Sequence, residues 1–195
     1  MTDTYQIRPA VPGDMTAILG LISEAAKWLQ ETKGTDQWAE PWPDKDARDD
    51  RVAQGIEHGL TWMVEDNDGS LGGTVTCREQ GTGILWTREE LLDPAVYVSR
   101  LIVSRDFAGR GIGAALIDWA GLRGIQAWDA NWIRVDVWTR NWALHDYYKG
   151  QGFMHLRTCP FDDDREYPSA ALFQKPAADI DAAAAGWFKE VSLLR

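Results

Sequence analysis

Cysteine is scarce in this sequence: only Cys77 and Cys159 are present, far apart in the chain. Without a CxxC pair, the sequence offers no motif for a zinc ribbon or a redox centre. The three histidines, His58, His145 and His155, are scattered and lack the spacing of metal ligands. We therefore predict that the protein holds no metal.

Long apolar runs are also missing. No stretch approaches the roughly 18 residues that a membrane-spanning helix requires, and residues 1–10 lack the apolar segment of a signal peptide. These absences predict a cytoplasmic protein without a membrane partner. A length of 195 residues, of which 45% are apolar and 26% charged, suits one globular domain with a full core.

Basic residues are outnumbered, with 20 Lys and Arg against 30 Asp and Glu and a net charge of −10. Proteins that bind nucleic acids usually present a basic face, because phosphate contacts dominate their affinity. The balance therefore excludes DNA as an expected partner and disfavours tRNA. An acidic surface would attract a cationic substrate such as an amine, although it would equally serve solubility alone.

The apolar periodicity predicts an α/β protein. Helices are expected where apolar residues recur at helical spacing, over 15–34, 46–59, 112–122 and 141–152. The alanine-rich segment 177–195 is predicted to be a C-terminal helix appended to a domain of residues 1–176. Strands are expected over residues 5–7, 60–65, 72–78, 96–103, 132–139, 153–158 and 170–174.

A glycine-rich turn, Ala108-Gly109-Arg110-Gly111-Ile112-Gly113, joins the strand at 96–103 to the next helix. The first amides of a helix have no intrahelical partner, and the helix dipole adds partial positive charge at that end. Glycines let the backbone approach a phosphate closely, and Arg110 can donate twice to such a group. The segment therefore predicts a phosphate site at the start of this helix.

Two common phosphate loops fit this segment poorly. Gly109, Gly111 and Ala114 match the dinucleotide fingerprint GxGxxG/A, but about half the chain precedes them. The next strand also ends at Thr139 rather than at an acidic residue. A Walker loop would need Gly-Lys-Ser/Thr, which is absent.

A third loop fits better. The sequence VSRDFAGRGIGA at residues 103–114 resembles the coenzyme A loop of the GNAT (Gcn5-related N-acetyltransferase) family, Q/R-x-x-G-x-G/A. Gly111 and Gly113 occupy the glycine positions, whereas Ala108 stands where the family usually has Gln or Arg. That difference removes one side-chain contact with coenzyme A, whereas the backbone amides that would bind its phosphates are kept.

A second segment extends the resemblance. The sequence NWALHDYYKGQGF at residues 141–153 is similar to the family's N-x-x-A-x-x-x-Y-x-x-x-G-F motif. The order of predicted elements also agrees over residues 4–175. The sequences TDQW near residue 36 and YPSAALFQKP near the end further resemble uncharacterised actinobacterial members.

The resemblance implies a GNAT fold: a mixed, strongly twisted sheet of six to seven strands flanked by about four helices, plus the C-terminal helix. It also implies acetyl-CoA as co-substrate, with its pantetheine arm between the strands at 96–103 and 132–139. The residues expected to bind this cofactor are Leu101, Val103, Ala108, Gly109, Arg110, Gly111, Ile112, Gly113, Ala114 and Asn141.

The family's chemistry is direct attack of a neutral amine on the thioester in a ternary complex. Tyr148 occupies the position of the general acid that protonates the departing thiolate. Asn141 would orient the cofactor or a water molecule. The base stays open among Glu79, Asp136, His145 and a chain of water molecules.

The acceptor is expected to be an amine of a small molecule or peptide. Trp38, Trp42, Trp86 and Trp138 are predicted to form the wall of its pocket, because large aromatic side chains in loops often line binding sites. Two alternatives remain: a transferase that uses another acyl carrier such as aminoacyl-tRNA, and a non-catalytic coenzyme A-binding module. The protein is expected to be a monomer or a homodimer.

Overall fold

The computed structural model describes residues 4–160 and 167–191. Within these residues the fold alternates strands and helices, as the periodicity predicts. The strands are β1 (Tyr5–Pro9), β2 (Thr61–Glu65), β3 (Leu71–Arg78), β4 (Ala95–Val103), β5 (Trp132–Val137), β6 (Met154–Thr158), β7 (Ala171–Pro176) and β8 (Phe188–Glu190). The helices are α1 (Met15–Trp28), α2 (Lys45–Glu57), α3 (Arg88–Leu92), α4 (Ile112–Trp128), α5 (Trp142–Gly150) and α6 (Ala182–Ala185).

The strands form one mixed sheet in the order β6-β7-β5-β4-β3-β2-β1-β8. Parallel pairing joins β4 to β5 and β1 to β8. Antiparallel pairing joins β1 to β2, β2 to β3, β5 to β7 and β6 to β7. The mixed α/β architecture is confirmed, with eight described strands where six to seven were expected.

Contacts divide the described chain into two compact units. Unit 1 contains residues 4–76, 100–119 and 181–191, and unit 2 contains residues 77–99, 120–160 and 167–180. Each has an apolar cluster of its own. The cluster of unit 1 is Ala10, Ile18, Leu21, Ile22, Val52, Ile56, Met63 and Ile102. The cluster of unit 2 is Leu85, Trp86, Ala95, Tyr97 and Leu172.

Side-chain caps explain where several helices begin. The Asp44 carboxylate accepts a hydrogen bond from the amide of Ala47 at 2.8 Å, in front of α2. Thr87 and Glu90 form a reciprocal capping box around the first turn of α3. Each cap occupies an amide that the helix itself leaves without a partner. The second of these caps explains why the short helix α3 begins after Thr87.

The C-terminal segment differs from the predicted helix. It contains a 3-10 turn, the four-residue helix α6 and then β8, which pairs with β1. The alanines do favour a helix, but Gly186 follows α6 at once. The edge of β1 then offers hydrogen bonds, and the Trp187 carbonyl accepts one from the Tyr5 amide at 2.9 Å. Residues 192–195 lie outside the described part, and the domain boundary after residue 176 remains a prediction.

Helix length and hydropathy decide whether a helix could span a membrane. Among the described residues, no helix is long and apolar enough to cross a bilayer. The longest helix is α4, with 17 residues. The cytoplasmic location remains a prediction.

Candidate active site

The turn between β4 and α4 carries the predicted phosphate loop. Gly109 and Gly111 have φ angles of +78° and +79°, a left-handed conformation that strains residues with a Cβ. The first bond of α4 runs from the Ala115 amide to the Gly111 carbonyl at 3.1 Å. The preceding amides of residues 112–114 donate to no acceptor within the described part of the chain. They are therefore available to an anion at the helix start.

Two arginines add positive charge to this turn. Arg110 is exposed, donates to the Asp106 carbonyl at 3.3 Å and lies 4.7 Å from the centre of the Phe107 ring. Arg105 lies 3.8 Å from the centre of the Trp28 ring on α1. The loop is thus locally cationic although the chain carries a net charge of −10. The exposed Ala108 contributes no polar side chain, as expected from its departure from the motif.

The ladder between β4 and β5 is short. It lies in unit 2 and ends at Val98↔Val135, although β4 continues to Val103 and β5 to Val137. Arg100, which lies within β4 shortly beyond this point, has a φ of 47°, which is unusual for a residue with a long side chain. The separation of these strands that the resemblance implies remains a prediction. Leu101 lies in the part of β4 beyond the ladder.

Helix α5, in unit 2, carries the two predicted catalytic residues. Asn141, only 4% exposed, caps the helix: its side-chain oxygen accepts a hydrogen bond from the Leu144 amide at 3.0 Å. The ring of Tyr148 packs 5.2 Å from that of Phe153 and 6.3 Å from that of Phe173, centre to centre. Asn141 thus has a structural role at the helix start that accounts for its burial.

The hydroxyl of Tyr148 has no hydrogen-bond partner among the described residues. The side chain is 9% exposed, and its burial raises the pKa of the phenol well above its ordinary value. The phenol therefore stays protonated at neutral pH and has a proton to donate. The same burial makes a tyrosinate unfavourable, so the group suits hydrogen-bond donation better than complete loss of its proton.

The three candidate bases differ in environment. The Trp138 carbonyl accepts a hydrogen bond from Nε2 of buried His145 at 3.0 Å, which leaves Nδ1 as the ring nitrogen with a lone pair. Asp136 is half-buried on β5 and accepts from the Tyr167 hydroxyl at 3.4 Å. Glu79 is exposed directly after β3. All three lie in unit 2, and the choice among them remains open.

His145 also leads to a prediction for stability. Burial lowers the pKa of His145, so between the two pKa values the unfolded chain binds more protons than the folded one. The stability that depends on neutral His145 is complete above the unfolded pKa of about 6.5 and is lost as the pH falls towards the folded pKa. We expect His145→Gln to lose less unfolding free energy than the wild type between about pH 7 and pH 5. Urea unfolding measures this, and equal losses in both proteins would contradict it.

The four tryptophans predicted to line the acceptor pocket are divided between the units. Trp38 packs against the apolar cluster of unit 1, and Trp42 receives a hydrogen bond on its carbonyl from Arg51. Trp138, in unit 2, is half-buried. Trp86 is only 2% exposed and stacks edge to face on Tyr97 at 5.4 Å. A buried indole has little surface for a substrate, so Trp86 belongs to the core.

The cysteines show no sign of a redox or metal role. Burial raises the pKa of Cys77 to about 12, so its thiol stays protonated. Cys77 and Cys159 are both free thiols. Across residues 4–160 and 167–191, no group of three or more His, Cys, Asp or Glu side chains could hold a metal ion. The expectation of a metal-free protein remains a prediction.

One residue near the loop is not indicated by the sequence. The indole of Trp187, in the segment before β8, lies over Gly111: a Cβ built there would be 3.4 Å from Cη2 of the ring. The sequence offered no signal for this proximity, because Trp187 fits the apolar spacing of a C-terminal helix. Only the pairing of β8 with β1 brings it to the loop.

Comparisons with known proteins identify the family of the chain. Residues 57–155 match the family description "Acetyltransferase (GNAT) domain". The chain is 31% identical over 156 residues to the uncharacterized N-acetyltransferase YesJ of Bacillus subtilis (strain 168), covering 78% of this chain and 83% of that protein.

Solved structures show the same fold. The crystal structure of a GNAT family acetyltransferase from Listeria monocytogenes 4b F2365 is 28% identical, with a TM-score of 0.68 over 88% of this chain and 94% of that chain. Spermidine N-acetyltransferase from Vibrio cholerae, in complex with CoA and spermine, is 17% identical, with a TM-score of 0.60 over 90% of this chain and 96% of that chain.

None of these three relatives is actinobacterial, so they do not support the narrower resemblance to actinobacterial members. The family itself rests on both the domain match and the identity to YesJ. This chain belongs to the GNAT family and is a GNAT N-acetyltransferase.

Proposed function

We propose that this protein transfers an acetyl group from acetyl-CoA to an amine of a small molecule or peptide, by direct attack in a ternary complex. GNAT acetyltransferases use acetyl-CoA, and the Vibrio relative is described in complex with CoA. The observation that carries the proposal is the start of α4, where the amides of residues 112–114 follow two glycines with positive φ. Such a turn suits a pyrophosphate.

The residues of the loop fit that group. No atom lies within 4 Å of the position that a Cβ of Gly109 would occupy, so its backbone is accessible from that side. Arg110 can donate to one phosphate while the amides serve another. In this proposal, residues 109–114 bind the pyrophosphate, and the backbones of Leu101 and Val103 bind the pantetheine amides. Ala108 contributes its backbone alone.

The chain must also assist the chemistry of transfer. Acetyl-CoA, when bound, supplies the thioester that the amine attacks. We assign Tyr148 as the donor that stabilises the departing sulfur, because its hydroxyl is protonated and has no partner among the described residues. Asn141 supports this role by fixing the first turn of α5, and its predicted contact with the cofactor belongs to the same proposal.

For the acceptor we propose an amine, with Trp38, Trp42 and Trp138 as its aromatic contacts. The Vibrio structure contains spermine, a polycation, and the net charge of −10 in this chain would attract cations of that kind. The same charge opposes aminoacyl-tRNA as the acyl carrier, because a polyanion would be repelled.

The test of the proposal is a calorimetric titration with acetyl-CoA, followed by an acceptor screen that detects released thiol. We expect binding of acetyl-CoA and thiol release with at least one amine. A protein that gives no heat with acetyl-CoA but binds charged tRNA would overturn the choice of donor. Binding without thiol release across a broad set of amines would contradict amine transfer.

Arg110→Glu tests the phosphate assignment. We expect CoA binding to weaken by about 1–3 kcal/mol, the range for a lost hydrogen bond to a charged group. The control is Arg88→Glu, which makes the same charge change at an exposed position in the first turn of α3. If Arg110→Glu left the Kd of CoA unchanged, Arg110 would be removed from the site.

A further inference from the structure

The indole of Trp187 lies on the side of Gly111 from which a side chain would project. A Cβ at Gly111 would stand 3.4 Å and 3.5 Å from Cη2 and Cζ3 of the ring, the distance of ordinary van der Waals contact. Gly111 is the residue whose positive φ turns the chain into α4. The benzo edge of the indole therefore faces the residue on which the direction of the first amides depends.

Trp187 is held in this place by backbone bonds on both sides. Its carbonyl accepts from the Tyr5 amide at 2.9 Å, and its amide donates to the Ala184 carbonyl at 3.1 Å. The next residues form β8, parallel to β1, and the Val191 amide donates to the Ile7 carbonyl at 2.9 Å. The position of the indole thus follows from the docking of the C-terminal segment on β1.

A second chain of ring contacts links the same segment to the loop. Phe188 packs against Tyr5 with ring centres 6.1 Å apart, and Tyr5 packs edge to face on Phe107 at 6.4 Å. The guanidinium of Arg110 in turn lies over the Phe107 ring, 4.7 Å from the ring centre. The C-terminal segment therefore supports both Gly111 and Arg110, through different rings.

We propose that Trp187 is a positioning residue for cofactor binding, which acts by holding Gly111 in its left-handed turn. Glycine has more backbone freedom than any other residue, so a turn made of glycines loses order unless a neighbour restricts it. A ring that confines Gly111 would preorganise the amides of α4 and reduce the entropy lost on binding. The inference rests on the proposed function, since it assigns a support for the same pyrophosphate site.

The experiment compares CoA and dephospho-CoA, which share the pyrophosphate but differ in the 3′-phosphate. We expect Trp187→Ala to weaken both ligands by a similar factor of about tenfold, with Trp187→Phe restoring most of the affinity. In turnover assays, the KM for acetyl-CoA should rise while kcat at saturating acetyl-CoA is kept. Lys189→Ala, an exposed position on β8, is the matched control and should bind as the wild type does.

Several outcomes would overturn the inference. Equal affinity of Trp187→Ala and the wild type for both ligands would do so, as would a loss confined to CoA, which would place the effect at the 3′-phosphate. Thermal melting checks that the variant folds. If Trp187→Ala does not fold, Trp187→Leu replaces it, because leucine keeps an apolar side chain without a ring. A Kd of Trp187→Leu equal to that of the wild type for both ligands would then overturn the inference. A wild type that binds neither ligand would instead refute the proposed function.

Discussion

Replacement of Tyr148 by phenylalanine is expected to lower kcat by about 100- to 1000-fold, the usual contribution of one preorganised hydrogen-bond donor. The affinity for CoA should stay within about twofold, because the lost interaction is made with the departing sulfur rather than with the bound cofactor. The aromatic ring is retained, so the packing against Phe153 and Phe173 is kept and the fold should not change.

The environment of the hydroxyl explains the size of the effect. Burial raises the pKa of Tyr148, so the phenol is protonated across the neutral range. A hydrogen bond from the hydroxyl of this largely buried side chain to a developing thiolate is stronger than one in water, because the surroundings screen it less. Since the pKa is raised, loss of this proton should not cause a fall in rate on the alkaline side near the ordinary tyrosine pKa of about 10.

The matched control is Tyr147→Phe, which removes a hydroxyl from the neighbouring residue. Tyr147 is partly exposed and projects about 100° away around the helix. Steady-state kinetics with the acceptor found by the screen, together with CoA titration, separates turnover from binding. If Tyr148→Phe retained full turnover, or if Tyr147→Phe lost as much, the assignment of the proton donor would be wrong.

Local signals in the sequence predicted much of the fold. The β-branched run before residue 103 and the glycines after it predicted β4, the turn and α4 in the right order. The helix predicted over residues 141–152 is present as α5, and Asn141 caps it by accepting from the Leu144 amide. These features depend on neighbours within a few residues, which is why sequence alone suffices for them.

Features that depend on distant partners were not predictable. The last strand, β8, has three residues and exists because β1 has a free edge to pair with. The segment before it is rich in alanine, and the high helix propensity of alanine predicted a helix that continued to the C-terminus. The positive φ of Arg100 in β4 has no sequence signal either, because such a conformation is rare for residues other than glycine, asparagine and aspartate.

Burial of Trp86 shows the same limit within the candidate site. The glycines and acidic residues of the surrounding segment, 80–94, suggested that Trp86 lies in a surface loop. In the structure the indole lies in the core of unit 2, with the guanidinium of Arg134 at 5.3 Å from its ring. Arg134 is itself buried and donates to the hydroxyl of Tyr97 at 2.8 Å. No periodicity in the sequence indicates that a strand arginine would turn inward, since its partners come from other elements.

Replacing both Gly109 and Gly111 by alanine is expected to cost more free energy, in stability or in CoA binding, than any other small substitution in the loop. Their φ angles of +78° and +79° place both in the left-handed region, where a residue with a Cβ is disfavoured by roughly 1–2 kcal/mol. Space is not the obstacle, because a Cβ at Gly109 meets no atom within 4 Å and one at Gly111 meets Trp187 at ordinary contact distance. The whole effect therefore comes from the backbone.

That strain must appear in one of two measurements. If the loop keeps its conformation, the double variant should lose about 2–4 kcal/mol of unfolding free energy and bind CoA normally. If the loop relaxes, stability is kept, but the amides of α4 turn away and CoA binding weakens by a similar free energy, about 30- to 1000-fold in Kd. We therefore predict the sum of the two losses, in unfolding free energy and in the free energy of CoA binding, to be about 2–4 kcal/mol.

Urea unfolding and CoA titration of the same protein samples give both terms. Gly83→Ala is the control, since Gly83 is exposed, has no positive φ and has no atom within 4 Å of its Cβ position. A double variant that matched this control in both stability and CoA affinity would mean that the left-handed turns are dispensable. The amides of residues 112–114 would then not depend on them for their direction, and the phosphate site proposed at the start of α4 would lose its physical basis.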